Sequence, residues 1–204
     1  MNDIHPLFAN STIDPSKWMM IKTYDKWAVI EQEGFLCKHL SLILSGSVAI
    51  STLTFSDSEY MIALLQKDDV FGDVLLFSNE NSYLGDIVAT SKTVIGTINK
   101  DDLLLLLKDD IILNNFVRIM ANRILNNQKR VKILSQKSIR DKIMFYLLEE
   151  KKKTNSNIIS IPSKQELANI LNIPRPSLSR ELINLKKDNI IDYSLTYIKL
   201  LIVR

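Results

Sequence analysis

The sequence is poor in the residues that build most enzyme and metal sites. Its 204 residues include one cysteine, Cys37, two histidines, His5 and His39, and five glycines. A single cysteine excludes an intrachain disulfide, and two histidines 34 residues apart cannot supply the several ligands of a cupin-type metal site. No Gly-rich phosphate loop, G-x-S-x-G or HExxH motif occurs. We therefore predict that the protein is not an enzyme and has no metal site.

The chain also lacks a long hydrophobic run. No stretch of about 18 uncharged apolar residues occurs, so no membrane span is predicted. The first ten residues lack the basic and apolar regions of a signal peptide. One unpaired thiol fits a reducing compartment. These absences predict a cytoplasmic protein with no membrane partner, and 46% hydrophobic with 24% charged residues predicts a globular one.

The net charge of +3 conceals an uneven distribution of charge. Residues 1–128 hold 10 Lys/Arg and 16 Asp/Glu, whereas residues 129–204 hold 16 Lys/Arg and 7 Asp/Glu. The net charges are therefore −6 and +9. A basic C-terminal third is the electrostatic footprint expected for contact with a nucleic-acid phosphate backbone.

Residues 163–185 predict two short helices joined by a tight turn. Ser163 and Glu166 form an S-x-x-E capping box, which marks a helix start. Asn172 stands where a left-handed residue is needed in the turn, and the second helix opens near Pro176. The inner face of the second helix would consist of Leu178, Leu182 and Leu185. This pattern predicts a DNA-binding helix-turn-helix, and the alternative is an ordinary helical hairpin with a solvated face.

The outward polar residues of this segment are the candidate DNA contacts. Arginine is the commonest partner of guanine in the major groove, which favours Arg180 as a base contact. Arg175 precedes a proline, so we expect it at the helix cap, where it could reach a phosphate instead. The full set of candidates is Lys164, Arg175, Ser177, Ser179, Arg180 and Asn184.

Short β-branched runs between Trp18 and Thr97 predict six or more strands in a sandwich or jelly-roll barrel. Residues 1–17 are expected to be a lead-in, with Asp14–Ser16 as the start of a short helix into Trp18. Turn residues separate the runs, including Gly34, Ser45–Gly46 and Ser56–Ser58. The predicted strands are Trp27–Ile30, Leu40–Leu44, Ser47–Ser51, Tyr60–Leu65, Ile87–Ala89 and Thr93–Thr97.

After a short helix at Asp101–Lys108, a Gly- and Pro-free segment from Asp110 to about Gln136 predicts one long helix. Its apolar residues alternate steps of three and four, which favours pairing with a partner helix. Asn127 is the kind of polar seam residue that fixes register. The alternative is that this face packs on the barrel of its own chain. We define the seam as Leu113, Val117, Met120, Ile124, Asn127, Val131 and Leu134.

The basic third predicts a winged helix-turn-helix. A helix opens at Ser138–Asp141, and Ile158–Ile161 predicts a strand that leads into the capping box. Beyond the second helix, Ile190–Ile191 and Tyr197–Leu200 are expected to pair as a hairpin wing.

Three segments resemble the Crp/Fnr family of bacterial transcription regulators. The form R-P-S-L-S-R-E-L at 175–182 resembles its helix-turn-helix, and Ser179–Arg180 matches a pair that Fnr-like members use on DNA. Ile43–Val48 and Asp69–Asp73 resemble parts of its cyclic-nucleotide-binding-like domain. The resemblance implies an α+β fold: a jelly-roll sensor domain at 1–109, a dimerisation helix at 110–136 and a winged helix-turn-helix DNA-binding domain at 137–204. It implies a sequence-specific regulator of transcription that is switched by an effector.

The sequence departs from that family where cyclic-nucleotide-binding members hold their ligand. Those members use a Glu for the ribose and an Arg–Ser/Thr pair for the cyclic phosphate. Here Asp73 stands at the Glu position and Tyr83–Leu84 at the Arg–Ser positions, and no Arg or Lys lies between Lys67 and Lys92. The candidate effector pocket is therefore Gly72, Asp73, Tyr83 and Leu84, and we expect it to bind neither cyclic AMP nor cyclic GMP. Pro176 replaces a Glu common in the family, so the half-site should differ at one base pair.

The resemblance also raises the question of cofactors. Some family members carry a cysteine-ligated iron–sulfur cluster, which one cysteine excludes here because a cluster needs about four such ligands. Haem-sensing members exist, so axial ligation by Cys37, His39 or His5 is one interpretation. We favour the other, in which Cys37 and His39 are surface residues of an inter-strand loop. A redox switch at Cys37 would need a thiol from another chain.

The expected partners are double-stranded DNA with a palindromic operator, a second copy of the chain and, for an activator, RNA polymerase. The effector is a small molecule that the sequence does not identify. Two alternatives remain at this point: a protein-interaction module that uses the long helix, and a cupin-type small-molecule-binding protein without DNA binding.

Overall fold

The computed structural model describes residues 4–53 and 59–201, and the predicted turn at Ser56–Ser58 lies outside them. The chain divides into two compact units, Met1–Met120 and Ala121–Arg204. In the described ranges, no helix is long and apolar enough to span a bilayer.

The first unit is a β-sandwich of two four-stranded antiparallel sheets. The sheet orders are β1-β8-β3-β6 and β2-β7-β4-β5. Both sheets contribute buried side chains to one core, among them Leu42 and Ile95 from the first sheet and Val48 and Ile87 from the second. The strands are β1 (Met20–Tyr24), β2 (Val29–Glu31), β3 (His39–Ser45), β4 (Ser47–Leu53), β5 (Glu59–Gln66), β6 (Val70–Phe71), β7 (Asp86–Ala89) and β8 (Thr93–Asn99). The sandwich prediction is confirmed.

Gly46 makes the turn that takes the chain from β3 in one sheet to β4 in the other. Its φ is +84°, and a Cβ there would lie 2.5 Å from the carbonyl oxygen of Lys92. Only glycine fits this position, because both the left-handed backbone and the close approach exclude a side chain.

Strands β1 and β6 are not among the strands predicted from the sequence. In β1 the first four residues, Met20–Thr23, are exposed, so apolar and polar positions do not alternate. The strand exists because it pairs with β8 at the edge of its sheet. Strand β6 is only two residues long, too short for any periodicity to show.

Part of the N-terminal segment contributes to the core, which its prediction as a lead-in did not anticipate. Leu7 and Phe8, in a 3₁₀ turn at Pro6–Phe8, are both fully buried. The buried amide of Asn115 donates to the carbonyl oxygens of Leu7, at 3.1 Å, and Ala9, at 2.8 Å. Arg118 donates to the Asn115 amide oxygen from one turn further along the same helix. The segment is therefore attached by hydrogen bonds as well as by apolar burial.

Three helices complete the first unit. They are α1 (Asp73–Phe77), α2 (Lys100–Leu106) and the first part of α3 (Asp110–Leu134), in which the boundary between the units falls. The Asp109 carboxylate starts α3 by accepting from the backbone N–H groups of Ile111 and Ile112, both at 3.0 Å. A second 3₁₀ turn, Pro15–Lys17, stands where a short helix was predicted, and the Asp14 side chain caps it.

The second unit contains the predicted winged helix-turn-helix. Its elements are α4 (Ile139–Thr154), β9 (Ile158–Ser160), α5 (Lys164–Leu171), α6 (Arg175–Lys187), β10 (Ile191–Tyr193) and β11 (Tyr197–Leu200). The three strands form an antiparallel sheet in the order β10-β11-β9. One apolar core joins them to the helices, with Leu147, Leu167, Leu182 and Ile198 fully buried.

Candidate functional site

The start of α5 and the turn behind it have the geometry that the sequence predicts. The Ser163 hydroxyl accepts from the N–H of Glu166 at 3.2 Å, and the Glu166 carboxylate accepts from the N–H of Ser163 at 2.9 Å. Asn172 ends α5 in the left-handed conformation, with φ 49° and ψ 57°. The N–H of Ile173 then bonds to the carbonyl of Ala168 at 3.0 Å. These local bonds fix the path of the chain from α5 into α6.

Helix α6 begins one residue earlier than predicted. Pro174 is its cap residue and Arg175 its first helical residue, so Arg175 lies inside the helix and not at the cap. The residue before a proline is disfavoured in a helix, but Pro176 occupies the second position, where its missing N–H needs no partner. The predicted inner face, Leu178, Leu182 and Leu185, is completely buried.

Arg180 occupies the face of α6 that points away from the core. At about 100° per residue, it lies about 160° around the helix axis from Leu178. Arg175, Arg180 and Asn184 are exposed, whereas Ser177 and Ser179 are half-buried at the two edges of this outer face. Asn184 donates to the Glu181 carboxylate at 3.2 Å. Arg180 is thus the long, charged side chain at the centre of the outer face.

The cations around α6 differ in whether they are paired. Arg140 bonds to Asp188 at 2.6 Å and lies 3.8 Å from Glu181, so its charge is compensated within the unit. Among the described residues, neither Arg175 nor Arg180 has a hydrogen bond or ion pair from its guanidinium. Each guanidinium group can donate two parallel hydrogen bonds to an external acceptor such as a guanine edge or a phosphate.

Two residues of the wing, Asp192 and Tyr193, lie beside the helices, although the sequence pattern did not single them out. Tyr193 in β10 lies with its ring centroid 5.1 Å from Lys164 Nζ and 5.6 Å from Lys186 Nζ. Lys186 also pairs with Asp192 at 2.6 Å. That hydrogen bond raises the pKa of Lys186 and lowers the pKa of Asp192. These contacts join α5, α6 and β10, so no local sequence signal could have found them.

The predicted effector pocket is only partly assembled. Gly72, with φ +82°, precedes α1, and a Cβ there would lie 2.4 Å from the carbonyl oxygen of His39. Asp73 is buried at the first position of α1. Tyr83 is 4% exposed, whereas Leu84 is 67% exposed. Leu84 therefore faces solvent, whereas Tyr83 lies in the interior of the first unit.

Cys37 is buried, so its prediction as a surface residue was wrong. Its thiol lies 3.4 Å from the carbonyl oxygen of His39 and 3.5 Å from that of Gly72. The Tyr83 hydroxyl is buried with no hydrogen-bond partner among the described residues. Burial raises the pKa of the Tyr83 phenol, and the adjacent Cys37 thiol adds to the effect. The loop is covered because residues 34–37 pair with the segment at 81–83 through backbone hydrogen bonds.

The two histidines lie in different surroundings. His5 is buried, its Nδ1 accepts from the N–H of Leu7 at 3.2 Å, and burial lowers its pKa. His39 is half-buried at the start of β3. In the described part of the chain, no group of three or more His, Cys, Asp or Glu side chains is arranged to hold a metal ion.

The predicted seam on α3 is largely uncovered. Val117, Ile124 and Val131 are 54%, 57% and 64% exposed, and Asn127 is exposed among them. Met120 differs, because it is half-buried and packs against the core of the first unit. An apolar stripe of this length on a helix surface is typical of an interaction face.

Two family models match the chain, and together they take in about three quarters of it. Residues 21–110 match a cyclic nucleotide-binding domain, and residues 141–203 match a Crp-like helix-turn-helix domain. The cyclic AMP receptor protein of Thermus thermophilus is 21% identical over 170 residues, which cover 83% of this chain and 78% of the relative. The anaerobic regulatory protein of Bacillus subtilis is 24% identical over 174 residues, covering 82% and 73%.

Solved structures show the same fold. CprK complexed with OCPA has a TM-score of 0.75 at 14% identity, with 92% of this chain and 89% of that chain covered. A CooA mutant from Carboxydothermus hydrogenoformans has a TM-score of 0.71 at 18% identity, with 98% and 93% covered. The catabolite activator protein of Thermus thermophilus has a TM-score of 0.54 at 22% identity, with 96% and 93% covered.

Proposed function

The chain belongs to the Crp/Fnr family of transcription regulators, and from that premise we propose that it binds a palindromic operator as a homodimer and responds to an effector other than a cyclic nucleotide. In this proposal, residues 1–109 bind the effector, residues 110–136 form the dimer and residues 137–204 bind DNA. As an activator the protein would also contact RNA polymerase.

The observation that carries sequence-specific binding is the uncompensated guanidinium of Arg180 on the outer face of α6. Because this guanidinium has no partner among the described residues, it loses no contact within the protein when it bonds to a base edge. The flanking polar side chains Ser177, Ser179 and Asn184 are short enough to let the helix approach the groove. The residues of the basic third, 129–204, supply the electrostatic attraction to the phosphates.

Selection of binding sites from random duplex DNA, followed by filter binding at low and high salt, tests this part. We expect enrichment of an inverted repeat whose affinity falls steeply with salt. A chain that enriches no sequence and binds no duplex at low salt would instead be a protein-interaction module or a cupin-type small-molecule-binding protein.

The exposed seam supports the homodimer. Pairing α3 with its copy would remove Val117, Ile124 and Val131 from water, at about 25 cal/mol for each Å² of apolar surface buried. Asn127 would face its equivalent and fix the register of the two helices. A dimer with a two-fold axis would match a palindromic operator whose half-sites lie about one turn of DNA, roughly 34 Å, apart. Sedimentation at micromolar concentration should show a dimer, and a monomer with and without DNA would contradict this part.

Tyr83 supports an effector that is not a cyclic nucleotide. At the position where binding members place an arginine, this chain buries an aromatic side chain against Cys37, and no Lys or Arg occurs in residues 68–91. A buried cyclic phosphate without a cation would carry an uncompensated charge. Calorimetric titration with cyclic AMP and cyclic GMP should show no binding, and micromolar affinity would contradict this part. An absorption spectrum of the purified protein and mass analysis of co-purifying molecules would test haem and identify the effector.

A further inference from the structure

Tyr193 lies where the wing meets both helices of the helix-turn-helix. Its side chain is half-buried and packs against the core of the second unit, which fixes the ring. The ammonium groups of Lys164, at the first position of α5, and Lys186, near the end of α6, lie 5.1 and 5.6 Å from the ring centroid. Both distances are within the range of a cation–π interaction.

The two lysines differ in their remaining partners. Lys186 Nζ lies 2.6 Å from Asp192 Oδ1, and the same oxygen accepts from the backbone N–H of Tyr193 at 2.9 Å. The charge of Lys186 is therefore compensated by a carboxylate that the wing backbone holds in place. Lys164 has no carboxylate partner among the described residues, so it keeps its full charge beside the ring.

We propose that Tyr193 is a positioning residue for DNA backbone binding, which holds the Lys164 ammonium ready for a phosphate while Asp192 keeps Lys186 from contributing. This inference rests on the proposed DNA-binding function and deepens it. It adds an aromatic side chain of the wing, with no contact to a base, to the residues that set affinity.

A cation–π contact limits the freedom of a lysine side chain before it meets DNA. A free lysine side chain populates many rotamers, and ordering it on DNA costs conformational entropy. A ring face restricts the ammonium without neutralising it, so the charge stays available to displace counterions from a phosphate. A carboxylate, by contrast, offsets the charge of its lysine and so weakens the attraction of that lysine to a phosphate. Lys164 is pre-organised in this way and Lys186 is not.

The test measures operator binding by the full-length protein across a range of salt concentrations. Lys164→Gln should reduce the slope of log affinity against log salt by about 0.9 for each half-site, the value for one phosphate contact, and so by about 1.8 for the dimer. Lys186→Gln is the matched control and should change the slope by much less. Tyr193→Leu should weaken binding about twofold to fivefold for each half-site on every sequence, as expected for an exposed cation–π contact. Tyr193→Phe keeps the ring face and should bind like the wild type.

A double-mutant cycle separates positioning from a merely structural role. Adding Tyr193→Leu to Lys164→Gln should cause no further loss, because the ring then has no cation to hold at α5. Fully additive losses, or a Tyr193→Phe protein as weak as Tyr193→Leu, would overturn the inference. Should Tyr193→Leu fail to fold, the wild type gives a second test: ring currents should shift the Lys164 ε-methylene protons upfield, and an unshifted signal would overturn it. A wild type that binds no DNA would instead contradict the proposed function itself.

Discussion

Arg180→Ala removes the central side chain of the outer face of α6 and leaves the fold intact. Arg180 is exposed and has no hydrogen bond or ion pair within the described residues, so the free energy of unfolding should change by no more than about 0.5 kcal/mol. An arginine bonded to one guanine is worth about 1–3 kcal/mol, which corresponds to a loss of about fivefold to 160-fold in affinity per half-site. A dimer on an inverted repeat makes the contact twice, so the total loss should be about twice that free energy.

The assay compares wild type and variant on the operator and on every single-base change in one half-site, at two salt concentrations. Arg180→Ala should become indifferent to one base pair and keep its discrimination at the others. Lys187→Ala is the matched control. It removes an exposed charge from nearly the same face of α6, seven residues or about 10 Å further along the axis, and should leave base discrimination unchanged.

Two results would refute the reasoning about Arg180. An equal loss on every sequence, with the salt slope lowered by about one unit for each half-site, would mean that the guanidinium contacts a phosphate. No loss on any sequence would mean that the outer face of α6 does not meet DNA at all.

Three further predictions follow from buried and exposed groups. Val131→Asp places a charge in the seam of α3 and should convert the dimer to a monomer in sedimentation. Leu125→Asp, also on α3 but outside the seam, should leave the protein dimeric. Dissociation by both variants would indicate a general loss of helix stability. Tyr83→Phe should raise the free energy of unfolding by up to about 1 kcal/mol, because it removes a buried hydroxyl for which the described residues supply no hydrogen-bond partner. Half-buried Tyr146→Phe is the control, and a destabilised Tyr83→Phe would mean that the hydroxyl is bonded, with the adjacent Cys37 thiol as the nearest candidate. His5 has a lowered pKa in the folded chain, chiefly through burial and despite the nearby Asp68 and Asp69 carboxylates. As pH falls below about 6.5, His5 takes up a proton in the unfolded chain but resists it in the folded chain, so the free energy of unfolding should fall. His5→Asn should reduce that loss. Denaturant titrations between about pH 7.5 and 5 measure it.

The helix-turn-helix could be predicted from the sequence because its signals are local. The capping box of Ser163 and Glu166 and the left-handed Asn172 involve residues within a few positions of one another. Strands β3 and β4 could likewise be predicted, because a short run rich in β-branched and apolar residues between turn residues is also a local signal. Such local patterns can be recognised without knowledge of the rest of the chain.

Features that depend on distant segments could not be predicted. Cys37 lies in a sequence that is typical of a loop, and only the pairing of that loop with residues 81–83 buries its thiol. Tyr193 lies near Lys164 because α5 and the wing pack on one core. Edge strand β1 has no periodic pattern, because neither of its faces is consistently covered.

The attachment of Leu7 and Ala9 to Asn115 has a consequence for the synthesis of the chain. The partners are 108 and 106 residues apart, so the acceptors exist long before their donor. At about 5–20 residues per second, a ribosome needs roughly 5–20 s to extend the chain from one to the other. During that interval the apolar side chains of Leu7 and Phe8 have no completed core to enter, and they are free to bind a chaperone. The order of synthesis therefore delays the native hydrogen bonds of the turn at Pro6–Phe8 until Asn115 has been made.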